Sequence, residues 1–201
     1  LRTFPLFVNR FLNSHQTYDT KRVYSLDYMI GSNFMVTKTN LVSTLQNIPW
    51  LLELKAPQLE RLAALAQIQR LDENEVLYNE GERVGCLYIL LEGQISIENN
   101  IPGSGAIRIL VAEALEIVGW SSMTPLVRLR NNSARAITPA TLLCFDDEGL
   151  RALCEEDHHI GYLFMRRISN LVARYLLTTR LQLMEKLVEE SERHLPMLGG
   201  E

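Results

Sequence analysis

Hydrophobic positions along the chain change period twice, from helical spacing to short alternating runs and back to helical spacing. Leu41-Val42-Ser43-Thr44-Leu45 reads as a short helix, and Pro57 opens a second with Leu59, Leu62, Leu65 and Ala66 along one face. Strand-like runs follow at Val76-Leu77-Tyr78, Cys86–Leu91, Gln94–Ile97, Ile107–Val111, Ser133–Ile137 and Leu142–Phe145. Their breaks carry turn residues: Asn79–Glu82, Glu92-Gly93 and Asn99–Gly105. Short strands at this spacing predict a small antiparallel barrel or sandwich. Asp146-Asp147 then supplies a helix cap, and Leu150, Leu153 and Cys154 mark a short helix. After Asp157 a long helical pattern runs from about His158 to Glu190. Its polar stripe is Arg166, Asn170, Arg174 and Thr178, and most of the remaining circumference is apolar. Such a helix needs cover on more than one side. The cover is either the rest of its own domain or a second copy of the helix.

The first 34 residues break this order. They hold seven of the thirteen Phe and Tyr residues, mixed with polar residues and without a sustained period. The chain starts at Leu1, and a start-like Met35-Val36-Thr37-Lys38 follows. Residues 1–34 therefore read as a poorly structured extension or spurious upstream sequence, or as a short targeting or partner-binding segment. Residues 35–190 read as one domain, with the strands over about 68–146, and residues 191–201 as a flexible tail.

Composition narrows the function classes. At 201 residues and 47% hydrophobic content the chain can bury one good core. A net charge of −4 argues against a broadly basic nucleic-acid surface. Cys86, Cys144 and Cys154 are odd in number and lack C-x-x-C spacing, which predicts reduced thiols and a cytoplasmic protein. No apolar run reaches membrane-spanning length.

Candidate chemistry concentrates in Val118-Gly119-Trp120-Ser121-Ser122 and in Arg130-Asn131-Asn132-Ser133-Ala134-Arg135-Ala136. A glycine ending a strand, two hydroxyls opening a helical turn and a downstream arginine can together cradle an anion. Arg128 and Arg135 are eligible by type beside Arg130, and Ser121 and Ser122 also fit a plain helix cap. Cys154 and His158 are four apart, but the break at Asp157 spoils their shared face and no further ligands follow, so no metal is expected. Gly119-x-Ser121 lacks the second glycine of a nucleophile elbow, and no nucleophile–base or paired-carboxylate set stands out. No catalytic residue is assigned, and an enzyme is not expected.

Glu80-Gly81-Glu82, the strand–Gly–strand element Leu87–Ile97, the Gly119 turn and Ser133-Ala134-Arg135-Ala136 occur in an order that resembles the cyclic nucleotide-binding domain. The resemblance covers roughly residues 45–187 and is nearest to the effector domain of catabolite activator protein-like regulators. It implies an α+β fold: an antiparallel β-roll, a double-stranded β-helix of jelly-roll type, flanked by N-terminal helices and a long C-terminal helix. It also implies that Gly119 opens the phosphate turn and that Arg130, with Asn131 after it, occupies the phosphate arginine position. Thr178 and Thr179 fall where the long helix can offer a hydroxyl to a purine edge. Trp120 stands where the family usually has a ribose-binding glutamate. Losing a hydrogen bond to such a charged acceptor costs about 1.5–3 kcal/mol, roughly ten- to over a hundredfold in affinity.

The expected function is a regulatory sensor of a small anion, either a cyclic nucleotide (cAMP or cGMP) or another anion, signalling through the long helix. The alternative is a ligand-blind interaction or dimerisation module. Expected partners are a second copy, through the 158–190 helix, and a separate effector protein. The winged helix-turn-helix of the resembling transcription factors has no counterpart in the short tail, so direct DNA contact is not expected.

Overall fold

The computed structural model describes residues 38–193 apart from 102, 104 and 125. The expectations for residues 1–34 and for the end of the tail lie outside the described residues.

Helix α1 (Lys38–Gln46) leads through a short 3-10 turn (Pro49–Leu51) to α2 (Ala56–Leu65). Pro57 sits in the first turn of α2, where its missing N–H costs nothing. The helix ends one residue earlier than its apolar spacing suggests. Ala66 takes extended dihedrals and begins strand β1 (Ala66–Leu71), which overlaps the start of the expected strand region at about 68 but matches none of its named runs. The strand gains its identity from its partner: Ala66 to Leu71 pair in unbroken antiparallel register with Phe145 to Ala140.

The other strands are β2 (Val76–Tyr78), β3 (Cys86–Glu92), β4 (Ile95–Ile101), β5 (Gly105–Ala112), β6 (Ile117–Val118), β7 (Ser133–Ala136) and β8 (Ala140–Asp146). They form two four-stranded antiparallel sheets, ordered β1-β8-β3-β6 and β2-β7-β4-β5. Asn99 to Ile101, expected to lie in a turn, instead extend β4 and pair with Ile107 to Gly105 of β5. Their side chains are turn-forming by type, but the hairpin register carries through them. Gly93 joins β3 to β4 at φ +86°, and a Cβ there would lie 2.4 Å from the Pro139 carbonyl oxygen. Only glycine fits that close approach of two backbones.

Asp146 caps α3 (Asp147–Glu156), its carboxylate accepting from the Gly149 N–H at 2.9 Å. Asp157 ends α3 and caps α4 (His158–Arg193), accepting from the N–H groups of His159 and Ile160 at 3.1 and 3.3 Å. Gln58 donates to both its oxygens at 3.0 Å, which holds the Asp157 carboxyl below its ordinary range.

Two clusters make the core. One lies between the helices and the β1-β8-β3-β6 sheet and includes Leu45, Leu62, Phe145, Leu150, Phe164 and Ile168. The other fills the roll between the sheets, with Tyr78, Tyr88, Leu90, Ile97, Val118, Ala134 and Leu142. Fully burying a leucine or phenylalanine is worth about 1.5–3 kcal/mol, so these clusters fix the roll and the first half of α4. The polar stripe of α4 is tied to the rest of the domain: exposed Arg166 pairs with Glu53 at 2.6 Å, and half-buried Arg174 with Glu116 at 2.5 and 2.9 Å.

Candidate functional site

The short strand β6 ends at Gly119, which takes a left-handed conformation (φ 75°, ψ 31°) and turns the chain into a 3-10 helix (Trp120–Met123). Ser121 and Ser122 are buried in that turn. The loop after it returns to the roll at Arg130, whose N–H donates to the Glu82 carbonyl at 2.7 Å. Gly81 donates back to the Arg130 carbonyl at 2.8 Å, so the Glu80–Glu82 loop fixes the arginine backbone from both sides.

Arg130 is only 4% exposed. Its Nη1 donates to the Gly119 carbonyl at 3.1 Å and lies 3.4 Å from Ser121 Oγ. Its Nη2 donates to the Cys86 carbonyl at 2.6 Å. The guanidinium carbon sits 4.3 Å above the ring of Tyr78, a cation–π contact. Tyr78 in turn stacks on Tyr88 at 6.3 Å and donates to Asn132 Oδ1 at 3.3 Å. Burial pushes the Tyr78 phenol up to about 12, offset in part by Arg130 and the Gly119 amide.

Two polar atoms of this cluster are buried without a hydrogen-bond partner: Arg130 Nε and Ser122 Oγ. None of the ion pairs among the described residues involves Arg130. A buried cation is ordinarily paired, because desolvating it costs several kcal/mol. The residues therefore fit an anionic group: a buried cation outside the ion pairs of the described residues and, in the turn it bonds, a hydroxyl without a partner.

Of the three eligible arginines, only Arg130 is buried here. Arg128 is exposed, and Arg135 bonds the Asn74 carbonyl at 2.8 Å and faces Glu98. Asn131 is exposed and its carbonyl accepts from Asn99 at 2.8 Å. Trp120 is half-buried against the helix-side core, with its ring edge-on to Tyr175 of α4 at 6.5 Å. Thr178 is half-buried, while Thr179 is exposed and donates to the Tyr175 and Leu176 carbonyls at 2.8 and 3.2 Å. The structure thus brings Gly119, Ser121, Ser122 and Arg130 together, and sets Trp120 against α4.

Sequence reasoning missed three participants. Tyr78 and Cys86 read only as strand residues, because a ring under a guanidinium and a carbonyl acceptor leave no spacing signal. Tyr175 read as one apolar position among many. It packs against both core clusters and meets Trp120, and burial raises its phenol above the usual range.

Residues 68–157 match the family described as "Cyclic nucleotide-binding domain". No curated protein matches the chain. Among solved structures, the fold is similar to a Geobacter metallireducens protein named for cyclic nucleotide binding, at 20% identity and TM-score 0.58, over 71% of this chain and 99% of that one. It is also similar to the N-terminal domain of a Streptomyces coelicolor transcriptional regulator, at 20% identity and TM-score 0.53, over 65% and 93% of the two chains. A third likeness is the regulatory subunit of a cAMP-independent protein kinase A from Trypanosoma cruzi bound to guanosine, at 12% identity and TM-score 0.56, over 77% and 51%. At these identities the likeness is one of fold.

Proposed function

Residues 68–157 match the cyclic nucleotide-binding domain family, and from that premise we propose that the chain is a regulatory domain sensing a small anionic ligand at the Gly119–Arg130 cradle. The observation that carries this reading is Arg130 itself, a buried guanidinium outside every ion pair of the described residues. An anion in the cradle supplies the counter-charge, and Ser122 Oγ supplies a hydrogen bond. Trp120, in place of an acidic residue, offers a ribose no carboxylate. The ligand range therefore runs from cAMP and cGMP to simpler anions. The domain acts by binding rather than by catalysis, in the cytoplasm, on a separate effector protein.

Signalling through α4 has a physical route. The turn that carries Ser121 and Ser122 also carries Trp120, which meets Tyr175, and one residue along Arg174 clamps Glu116 just before β6. A ligand that favours one position of this turn favours one position of α4, by as much as its affinity differs between the two. The second half of α4 fits a partner copy. Leu176, Leu177, Leu183, Met184, Leu187 and Val188 are 51% to 66% exposed and recur at spacings of four and seven. Sedimentation of the full chain is expected to give a dimer, and Leu183→Glu a monomer. A wild-type monomer at tens of micromolar, roughly, removes the dimer from this account.

The ligand test is a panel of cAMP, cGMP, inorganic phosphate and guanosine, read by melting temperature. A ligand at about a hundred times its Kd stabilises by about 2.7 kcal/mol. An anion in the panel is expected to raise the melting temperature, and uncharged guanosine to raise it less. No shift with any of them supports the ligand-blind reading, in which both Nη atoms of Arg130 serve the fold alone.

A further inference from the structure

The β3–β8 pairing sets Tyr88 opposite Cys144 and Cys86 opposite Asp146. Cys86 and Cys144 are thus diagonal neighbours on one face of the sheet, with Tyr88 beside both. That face is the inside of the roll, where both cysteines pack against the cluster containing Tyr78 and Val118. Both cysteines are free, and both are half-buried. The backbone carbonyl of Cys86 is also an acceptor for Arg130.

We propose that Cys86 and Cys144 form a peroxide-responsive thiol pair on the inner wall of the roll, next to the anion cradle, and that their oxidation to a disulfide is a second input to this domain. Cys86 is the attacking sulfur. Cys144 and Tyr88 lie beside it on the same sheet face and the Arg130 charge lies near, an arrangement that favours its thiolate over the opposing Asp146 charge. These contacts hold the Cys86 thiol down to about 7 and push Cys144 up. Cys154 is the contrast: burial, with Asp157 and Glu155 nearby, raises it to about 11.

The chemistry balances with hydrogen peroxide as the oxidant. The Cys86 thiolate attacks one peroxide oxygen, the O–O bond breaks, and hydroxide leaves to take up a proton as water. The resulting sulfenic acid is attacked by the Cys144 sulfur, the S–O bond breaks, and a second water leaves with the Cys144 proton. Two electrons pass from the thiols to the peroxide, and a dithiol reductant reverses the result. Closing the bond draws β3 towards β8 at Cys86, whose carbonyl anchors Arg130. The proposal does not depend on which ligand the cradle takes.

The test treats the full chain with hydrogen peroxide and maps the products by mass. The expected product is two hydrogens lighter, links the Cys86 and Cys144 peptides and reverts with dithiothreitol. Cys144→Ser is expected to leave a dimedone-trappable sulfenic acid at Cys86, and Cys154→Ser to behave as wild type. With iodoacetamide at pH 7, Cys86 of the wild type is expected to react more than about tenfold faster than Cys154, its rate levelling off above its lowered pKa. That comparison needs no variant to fold. Equal rates at Cys86 and Cys154, or a peroxide-treated chain without the Cys86–Cys144 link, overturn the proposal.

Discussion

Arg130→Ala is expected to lower the melting temperature by roughly 6–12 °C, from a stability loss of about 3 kcal/mol. The loss comes from the fold, before any ligand is considered. The guanidinium is the donor to two carbonyls, Gly119 at 3.1 Å and Cys86 at 2.6 Å, and lies over the Tyr78 ring. Removing it leaves the Cys86 carbonyl without its donor, at about 1–3 kcal/mol, and takes one of two donors from the Gly119 carbonyl, which keeps the Ser122 N–H at 3.1 Å, against the relief of one buried charge. Arg130→Lys keeps the charge but, as a compact ammonium, does not reproduce the planar fork that spans both carbonyls, so it falls between wild type and alanine. A shift below about 2 °C for Arg130→Ala would mean that the arginine does not hold the turn to β3. The loss also means that a changed melting profile in this variant does not by itself report ligand binding.

Gly119→Ala is expected to cost about 2–4 kcal/mol by chemical denaturation, from two sources. The left-handed φ of 75° disfavours any Cβ by about 1–2 kcal/mol. The new methyl would also stand 2.7 Å from Arg130 Nη1 and 3.1 Å from the Cys86 carbonyl oxygen, so the arginine must give way. The two substitutions therefore share a cause. In the double variant the clash with Nη1 is gone, and the combined loss is expected to fall short of the sum by more than about 0.5 kcal/mol. Strict additivity would show that Gly119 and Arg130 act separately.

Much of this was legible in the sequence because the signals were local. Turn glycines, the Asp146 cap, the Asp157 break and the switch between strand and helix periods each name their own element. The order of the Gly119 turn and the Arg130 segment points to the candidate site for the same reason. What was not legible depends on distant partners. Strand β1 is a strand because β8 pairs with it, and β4 runs through Asn99 and Asn100 because β5 holds the register. The choice among Arg128, Arg130 and Arg135 needed burial, since their side chains are identical. Trp120 was read as a recognition element from its position alone, and its contact with Tyr175 required the path of α4.

The most direct measurement is a paired titration of wild type and Ser122→Ala with cAMP, cGMP and inorganic phosphate, following tryptophan fluorescence. Ser122 Oγ is buried without a partner, so removing it is expected to change the stability of the free protein by less than about 1 kcal/mol. Trp120 lies in the same turn and Trp50 is the only other tryptophan, so the signal reports the cradle. The account predicts saturable binding of at least one of these anions to wild type and about tenfold weaker binding to Ser122→Ala. Wild type without a saturable response to any of them, or a Ser122→Ala variant that binds as wild type does, would contradict it.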